Sequence, residues 1–191
     1  GSQDAIVSKF SPDLTNLIWS TYLGGSDDDT GFALQVSSTN NVYVTGGTAS
    51  SNMNLSNGHI SSYNGGRDGY LVQLDGATSA PISGTFIGTP SYDQSYFVQL
   101  DLDDNVYVFG QSNGNMPVSP GVYNNPNSGQ FISKYSTDLG TLDWSPTVVK
   151  YIMQDGEEQQ INRVKLVQVQ PLISQLRLML LIRTPAEIIF M

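Results

Sequence analysis

Asn41-Val42-Tyr43-Val44-Thr45-Gly46 returns 64 residues later as Asn105-Val106-Tyr107-Val108-Phe109-Gly110. Two further stretches recur at that offset. Ser20-Thr21-Tyr22-Leu23-Gly24 matches Gly84-Thr85-Phe86-Ile87-Gly88, and Asp4-Ala5-Ile6-Val7-Ser8-Lys9-Phe10 matches Asp68-Gly69-Tyr70-Leu71-Val72-Gln73-Leu74. A third copy opens at Gln130. There Ser133-Lys134-Tyr135-Ser136-Thr137-Asp138-Leu139 repeats Ser8-Lys9-Phe10-Ser11-Pro12-Asp13-Leu14, and Leu142-Asp143-Trp144-Ser145 repeats Leu17-Ile18-Trp19-Ser20. Anchors kept in the same order in each copy define a repeat array, which decides the architecture before any single element is assigned.

Each unit reads as four short strands, in the first copy about residues 5–11, 16–23, 32–37 and 42–46. They alternate or run apolar and are separated by turn chemistry: Ser-Pro-Asp, Gly-Gly-Ser-Asp and Thr-Asn-Asn. Between Val36 and Asn41 the pattern predicts a hairpin, because Asn tolerates the positive φ of a tight turn. The Ser-, Asn- and Gly-rich stretch 49–67 predicts a long loop closing the unit. Four antiparallel strands per unit is the blade plan of a β-propeller, and one blade must stack on another to hide both faces. The expected fold is all-β: tandem four-stranded blades over 1–145 (units 4–67, 68–129 and a partial 130–145), forming an incomplete propeller.

Composition separates this region from the tail, 146–191. Residues 1–145 hold 18 of the 19 glycines, and three basic residues against thirteen aspartates with no glutamate. The tail holds one glycine, all three glutamates and five basic residues, and reads as irregular or partly helical. A net charge of −9 argues against a nucleic-acid partner. No stretch is apolar for long enough to span a bilayer. The absence of cysteine excludes disulfide scaffolds, thiol catalysis and Cys-based zinc sites.

Tyr22-Leu23-Gly24-Gly25-Ser26-Asp27-Asp28 followed by Asn41-Val42-Tyr43-Val44-Thr45-Gly46 resembles the SBBP repeat, the seven-bladed β-propeller-type repeat. The stretches 91–101 and 121–132 resemble large surface proteins of Bacteroidetes that carry a gliding-motility-associated sorting domain and leave through the type IX secretion system. The resemblance covers 1–145. It implies an extracellular or cell-surface address and other blades of the same parent protein as partners, and no activity.

Gly1-Ser2-Gln3-Asp4 aligns with Gly65-Gly66-Arg67-Asp68, so the chain is expected to begin inside a longer protein. After Val149 the tail leaves the family pattern. Read out of frame, the codons for residues 174–191 can spell a stretch close to the segment the family has there, so the tail is expected to be a frameshifted translation.

Few residues suggest chemistry. His59 is the only histidine and lies in a polar loop without neighbouring ligand types, a poor catalytic or metal residue. Asp27-Asp28-Asp29 could offer carboxylates to Ca²⁺, but only one acid of the three recurs, as Asp93, and a turn explains it better. Asp101, Asp103 and Asn105 have the spacing that opens a calcium loop, yet lack its later Gly and distal Glu. Their counterparts Ser37, Thr39 and Asn41 make a hairpin the reading that serves both copies, with Ca²⁺ the lesser one. Residues 136–144 resemble the Asp-box hairpin of sialidases, with one residue too many. Trp19 and Trp144, like Tyr43 and Tyr107, hold matching positions and are expected to pack between blades. The less regular Tyr63, Tyr92, Tyr96 and Tyr123 are the candidates for surface contacts.

Two function classes follow. One is a non-catalytic structural or binding module that meets glycan or protein through its loops, with no cofactor. The other is a fragment of a propeller-type carbohydrate-active enzyme whose active site lies largely outside this chain. An enzyme of that kind needs converging carboxylates, and no recurring inward pair is legible in the sequence.

Overall fold

The computed structural model describes residues 1–126, 128–147 and, as backbone, 188–190. Its strands are β1 (Ala5–Phe10), β2 (Leu17–Leu23), β3 (Asp29–Val36), β4 (Val42–Thr48), β5 (Asp68–Leu74), β6 (Pro81–Ile87), β7 (Asp93–Leu100), β8 (Val106–Ser112), β9 (Gln130–Tyr135), β10 (Leu142–Trp144) and β11 (Ile188–Phe190). All pair antiparallel, in three sheets ordered β11-β1-β2, β3-β4-β5-β6 and β10-β9-β8-β7. The protein is all-β over the described residues, and there the sheets do not close into a ring. No described helix is long and apolar enough to cross a membrane. Within the tail, Ile188–Phe190 is a strand beside β1 rather than irregular or helical. The rest of the tail, from 148, lies outside the described residues.

The sheets are out of phase with the sequence units. Each complete sheet takes the last two strands of one unit and the first two of the next, so β4 and β5 pair without a break from Val42↔Leu74 to Thr48↔Asp68. The cause lies in their composition. Both strands are buried at every position, which requires neighbours on both faces and both edges. The stretch 49–67 closes no unit. It leaves β4, buries Met53 and Leu55, and runs along β6, where Gly84 N donates to Ser56 O and Phe86 N to Ile60 O at 2.8 and 3.0 Å.

Two apolar clusters fill the spaces between sheets. Val7 and Leu23 of the first sheet meet Val42, Val44, Tyr70, Val72 and Phe86 of the middle one. On its other face Tyr43, Leu71 and Ile87 meet Val98, Val106, Val108, Phe131 and Leu139. A polar joint accompanies each cluster. Lys9 Nζ and Trp19 Nε1 both donate to the carbonyl of Gly76, at 2.7 and 3.0 Å. At the second joint Gln73, in the Lys9 position, donates to the Tyr43 hydroxyl, which donates on to Thr137 O at 2.6 Å. An amide side chain shorter than lysine uses the phenol to span the gap. Burial, then the charges of Asp104 and Asp138, push the Tyr43 phenol up to about 12 and keep it a donor.

The turns repeat as faithfully as the strands. Asn40 and Asp104, 64 residues apart, have φ of 68° and 60° in the two matching hairpins, and Leu14 and Leu139 have 58° and 61° in theirs. The expected Asn-bearing hairpin between β3 and β4 is present. β3, however, begins at Asp29, three residues before the alternation that signals it, because a bulge at Phe32 breaks the period of two.

Five buried side-chain oxygens among the described residues have no hydrogen-bond partner, and one of them is a phenol. The Tyr70 hydroxyl is fully buried and has no hydrogen-bond partner, while the matching residue of the next unit is Phe131. Removing an unpartnered buried hydroxyl relieves its desolvation. Tyr70→Phe is therefore expected to leave stability unchanged or raise it by up to about 1 kcal/mol, read from the urea midpoint.

Candidate binding face

β7 lies against β3, β4 and β5 of the middle sheet, while β8 and β9 meet that sheet through the side chains of Val106, Val108 and Phe131. β3 and β7, each the first strand of its sheet in chain order, are thus the inner strands where the two sheets lie side by side. Each carries a bulge at the same repeat position, between Gly31 and Ala33 and between Ser95 and Phe97. A bulge re-aims the extra residue away from the ladder. Here the two re-aimed residues are aromatic, Phe32 and Tyr96, and their rings meet across the inner strands at 5.3 Å and 52°.

Phe32 is 42% exposed and Tyr92, at the start of the same inner turn, 40%. Burial, then the neighbouring Tyr92 phenol, push the Tyr96 hydroxyl above its ordinary value. That hydroxyl donates to Gln94 Oε1 at 2.9 Å. Gln94 is itself buried, and its amide nitrogen lies 3.0 Å from where a Cβ on Gly47 would sit. Gly47 therefore lets Gln94 lie flat on β4 and steady Tyr96.

Behind these rings the loops are clamped by buried aspartates. Asp29 Oδ2 accepts from Gly25 N and Ser50 Oγ at 2.7 and 2.8 Å. Asp93 Oδ2 accepts from Thr89 N and Oγ1 at 2.6 and 2.8 Å, and Asp68 Oδ2 from Asn64 N at 2.7 Å. Of the acidic run 27–29, the recurring residue, Asp29, is the one that is buried. Within each unit two carboxylates also come together where one sheet gives way to the next. Asp4 Oδ1 and Asp29 Oδ2 each lie 2.6 Å from the place a Cβ on Gly24 would take. Asp68 abuts the matching Gly88, and burial, with Asp93's charge adding, pushes its carboxyl up to about 6 against the Asn64 hydrogen bond. The partners are 25 residues apart in both copies. Strand pairing alone does not bring them together; the turn between sheets does.

Other sequence candidates fall elsewhere. Asp101 is a turn anchor: Oδ1 accepts from Asp103 N and Asn105 N, and Oδ2 from Asn105 Nδ2 and Tyr107 OH. Burial opposes its charge, but those hydrogen bonds together hold its carboxyl below the usual value. Asp103 and Asn105 act there as donors. Tyr63 packs edge-on against Phe86 and donates to Gly66 O at 2.6 Å, so it braces its loop from within. Tyr123 is 61% exposed on a separate loop. The His59 backbone N–H donates to Leu139 O, and its ring leans edge-on toward Tyr135. Among the described residues no three His, Cys, Asp or Glu side chains gather as a metal-binding group. The sequence singled out Tyr92 and Tyr96 but not Phe32 and Gln94, since a bulge leaves no mark in composition. No protein-family model matches the chain, and no curated protein matches it.

Proposed function

We propose that residues 1–145 are consecutive blades of a β-propeller in an exported surface protein, serving as a non-catalytic binding module for neutral glycan. The stacking of two four-stranded sheets with their first strands, β3 and β7, side by side carries this reading, because blades around an axis bring their innermost strands together. Sheet strands that follow one another in chain order from the inner edge outward support it further. The resemblance of the repeat to SBBP units supports the surface address.

For the ligand, the argument is the inner aromatic cluster. Phe32, Tyr92 and Tyr96 offer apolar ring faces beside phenol and amide hydrogen-bonding groups, the pairing that stacks on a sugar ring and fixes its hydroxyls. The net charge of −9 selects against acidic polysaccharides. On an array of neutral and acidic oligosaccharides, the protein is expected to bind neutral ones. Tyr96→Ala and Phe32→Ala are each expected to weaken that binding by about tenfold, on the scale of one lost aromatic contact, with the melting temperature kept. Binding unchanged in both variants rejects the aromatic site.

A further inference from the structure

The joint between β5 and β7 holds three buried oxygens without partners. Asp68, Asp93 and Ser95 are each 0% exposed, and Asp68 Oδ1, Asp93 Oδ1 and Ser95 Oγ have no hydrogen bond. Their placement is common. Asp93 and Ser95 are two residues apart and share a face of β7. Ser95 Oγ occupies the space a side chain at Gly69 would need, directly after Asp68, and Asp93's charge is felt at Asp68. The remaining oxygens of both carboxylates are already committed to the loops.

Two carboxylates held out of water are compensated either by a proton or by a positive charge. The described basic side chains are engaged elsewhere: Lys9 on Gly76 O, Arg67 on Asp28 O, and Lys134 on Asp143. Hard, oxygen-only donors carrying two negative charges suit a hard divalent ion.

We propose that this joint binds Ca²⁺ or a like hard divalent cation through Asp68, Asp93 and Ser95, tying the outgoing turn of the middle sheet to β7. Its place is distinct from the 101–105 turn, whose carboxylate is spent on its own backbone, and from the aromatic face.

The test uses the full chain stripped with EDTA and titrated with CaCl₂ by calorimetry and by thermal melting. Saturable binding at one site is expected, with the melting temperature raised by at least about 5 °C at 100-fold excess over Kd. Asp68→Asn and Asp93→Asn are each expected to lose at least about tenfold in affinity, on the scale of one lost carboxylate ligand. Asp143→Asn is expected to keep it. Should either Asn variant fail to fold, Ser95→Ala is expected to lower affinity by several-fold in a folded protein. No heat and no melting shift up to about 10 mM Ca²⁺, weaker than the loosest extracellular modules, overturns the proposal. So does binding that survives Asp68→Asn and Asp93→Asn, or stabilisation by acid alone with no response to Ca²⁺, which would put a proton in the joint.

Discussion

Gly46→Val is expected to lower stability by about 3 kcal/mol or more, as a fall in the urea midpoint with the slope unchanged. A Cβ at this position lands on the carbonyl oxygen of Thr30 and 2.8 Å from Tyr70 Cε1. The Thr30 carbonyl is there because the bulge at Phe32 pushes the start of β3 toward β4. The Tyr70 ring is there because β5 pairs Tyr70 with Gly46. The next unit repeats the arrangement. A Cβ at Gly110 lands on Gln94 O and the ring of Phe131. The glycine that ends the Val-Tyr-Val motif is thus the complement of a bulge on one side and an aromatic ring on the other. Neither obstacle is the far end of a flexible chain, so neither can yield. Gly140→Ala is the control, since its nearest neighbours are 3.4 Å away or more, and it is expected to stay within about 0.5 kcal/mol.

Trp19→Ala is expected to destabilise by about 3 kcal/mol, whereas Trp144→Ala, at the same repeat position, is expected to cost about 1 kcal/mol. Trp19 packs against the cluster between the first and middle sheets, and its Nε1 donates to Gly76 O beside Lys9. Truncation removes both the packing and half of the joint. Trp19→Phe, which keeps a ring and removes the donor, is expected to cost about 1 kcal/mol. Trp144 meets Tyr107 edge-on at 5.9 Å on the outer side of the last sheet, among the described residues. Equal losses at the two tryptophans, measured by urea unfolding, would show that the first joint contributes nothing beyond the repeat's local packing.

Strand identity and hairpin chemistry could be read directly. Alternation over Val42, Val44 and their copies marks strands, and the residues at Asn40 and Asp104 mark tight turns by their tolerance of positive φ. The repeat marked Trp19, Trp144, Tyr43 and Tyr107 alike for packing between sheets; Trp19 and Tyr43 donate across a joint, whereas Trp144 and Tyr107 pack on each other. The phase was hidden. A repeat of 64 residues is unchanged by where the unit is cut, so nothing in it says that β4 pairs with β5 across the 49–67 loop. The candidate site was half legible. Tyr92 and Tyr96 stand out as irregular tyrosines, but Phe32 is aimed outward by a one-residue insertion in pairing, and the buried aspartates look like turn residues.

By itself the sequence determined the local geometry of this protein: which residues extend, which turn, and that the pattern returns. These are decided by backbone sterics and side-chain periodicity within a few residues. Only the tertiary structure decided which copies share a sheet, which aspartates meet across Gly24, and which rings reach the inner edge. Those outcomes depend on edges and faces finding partners far along the chain, and equal repeats offer several partners of equal local merit. Burial of β4 and β5 on both faces selects among them.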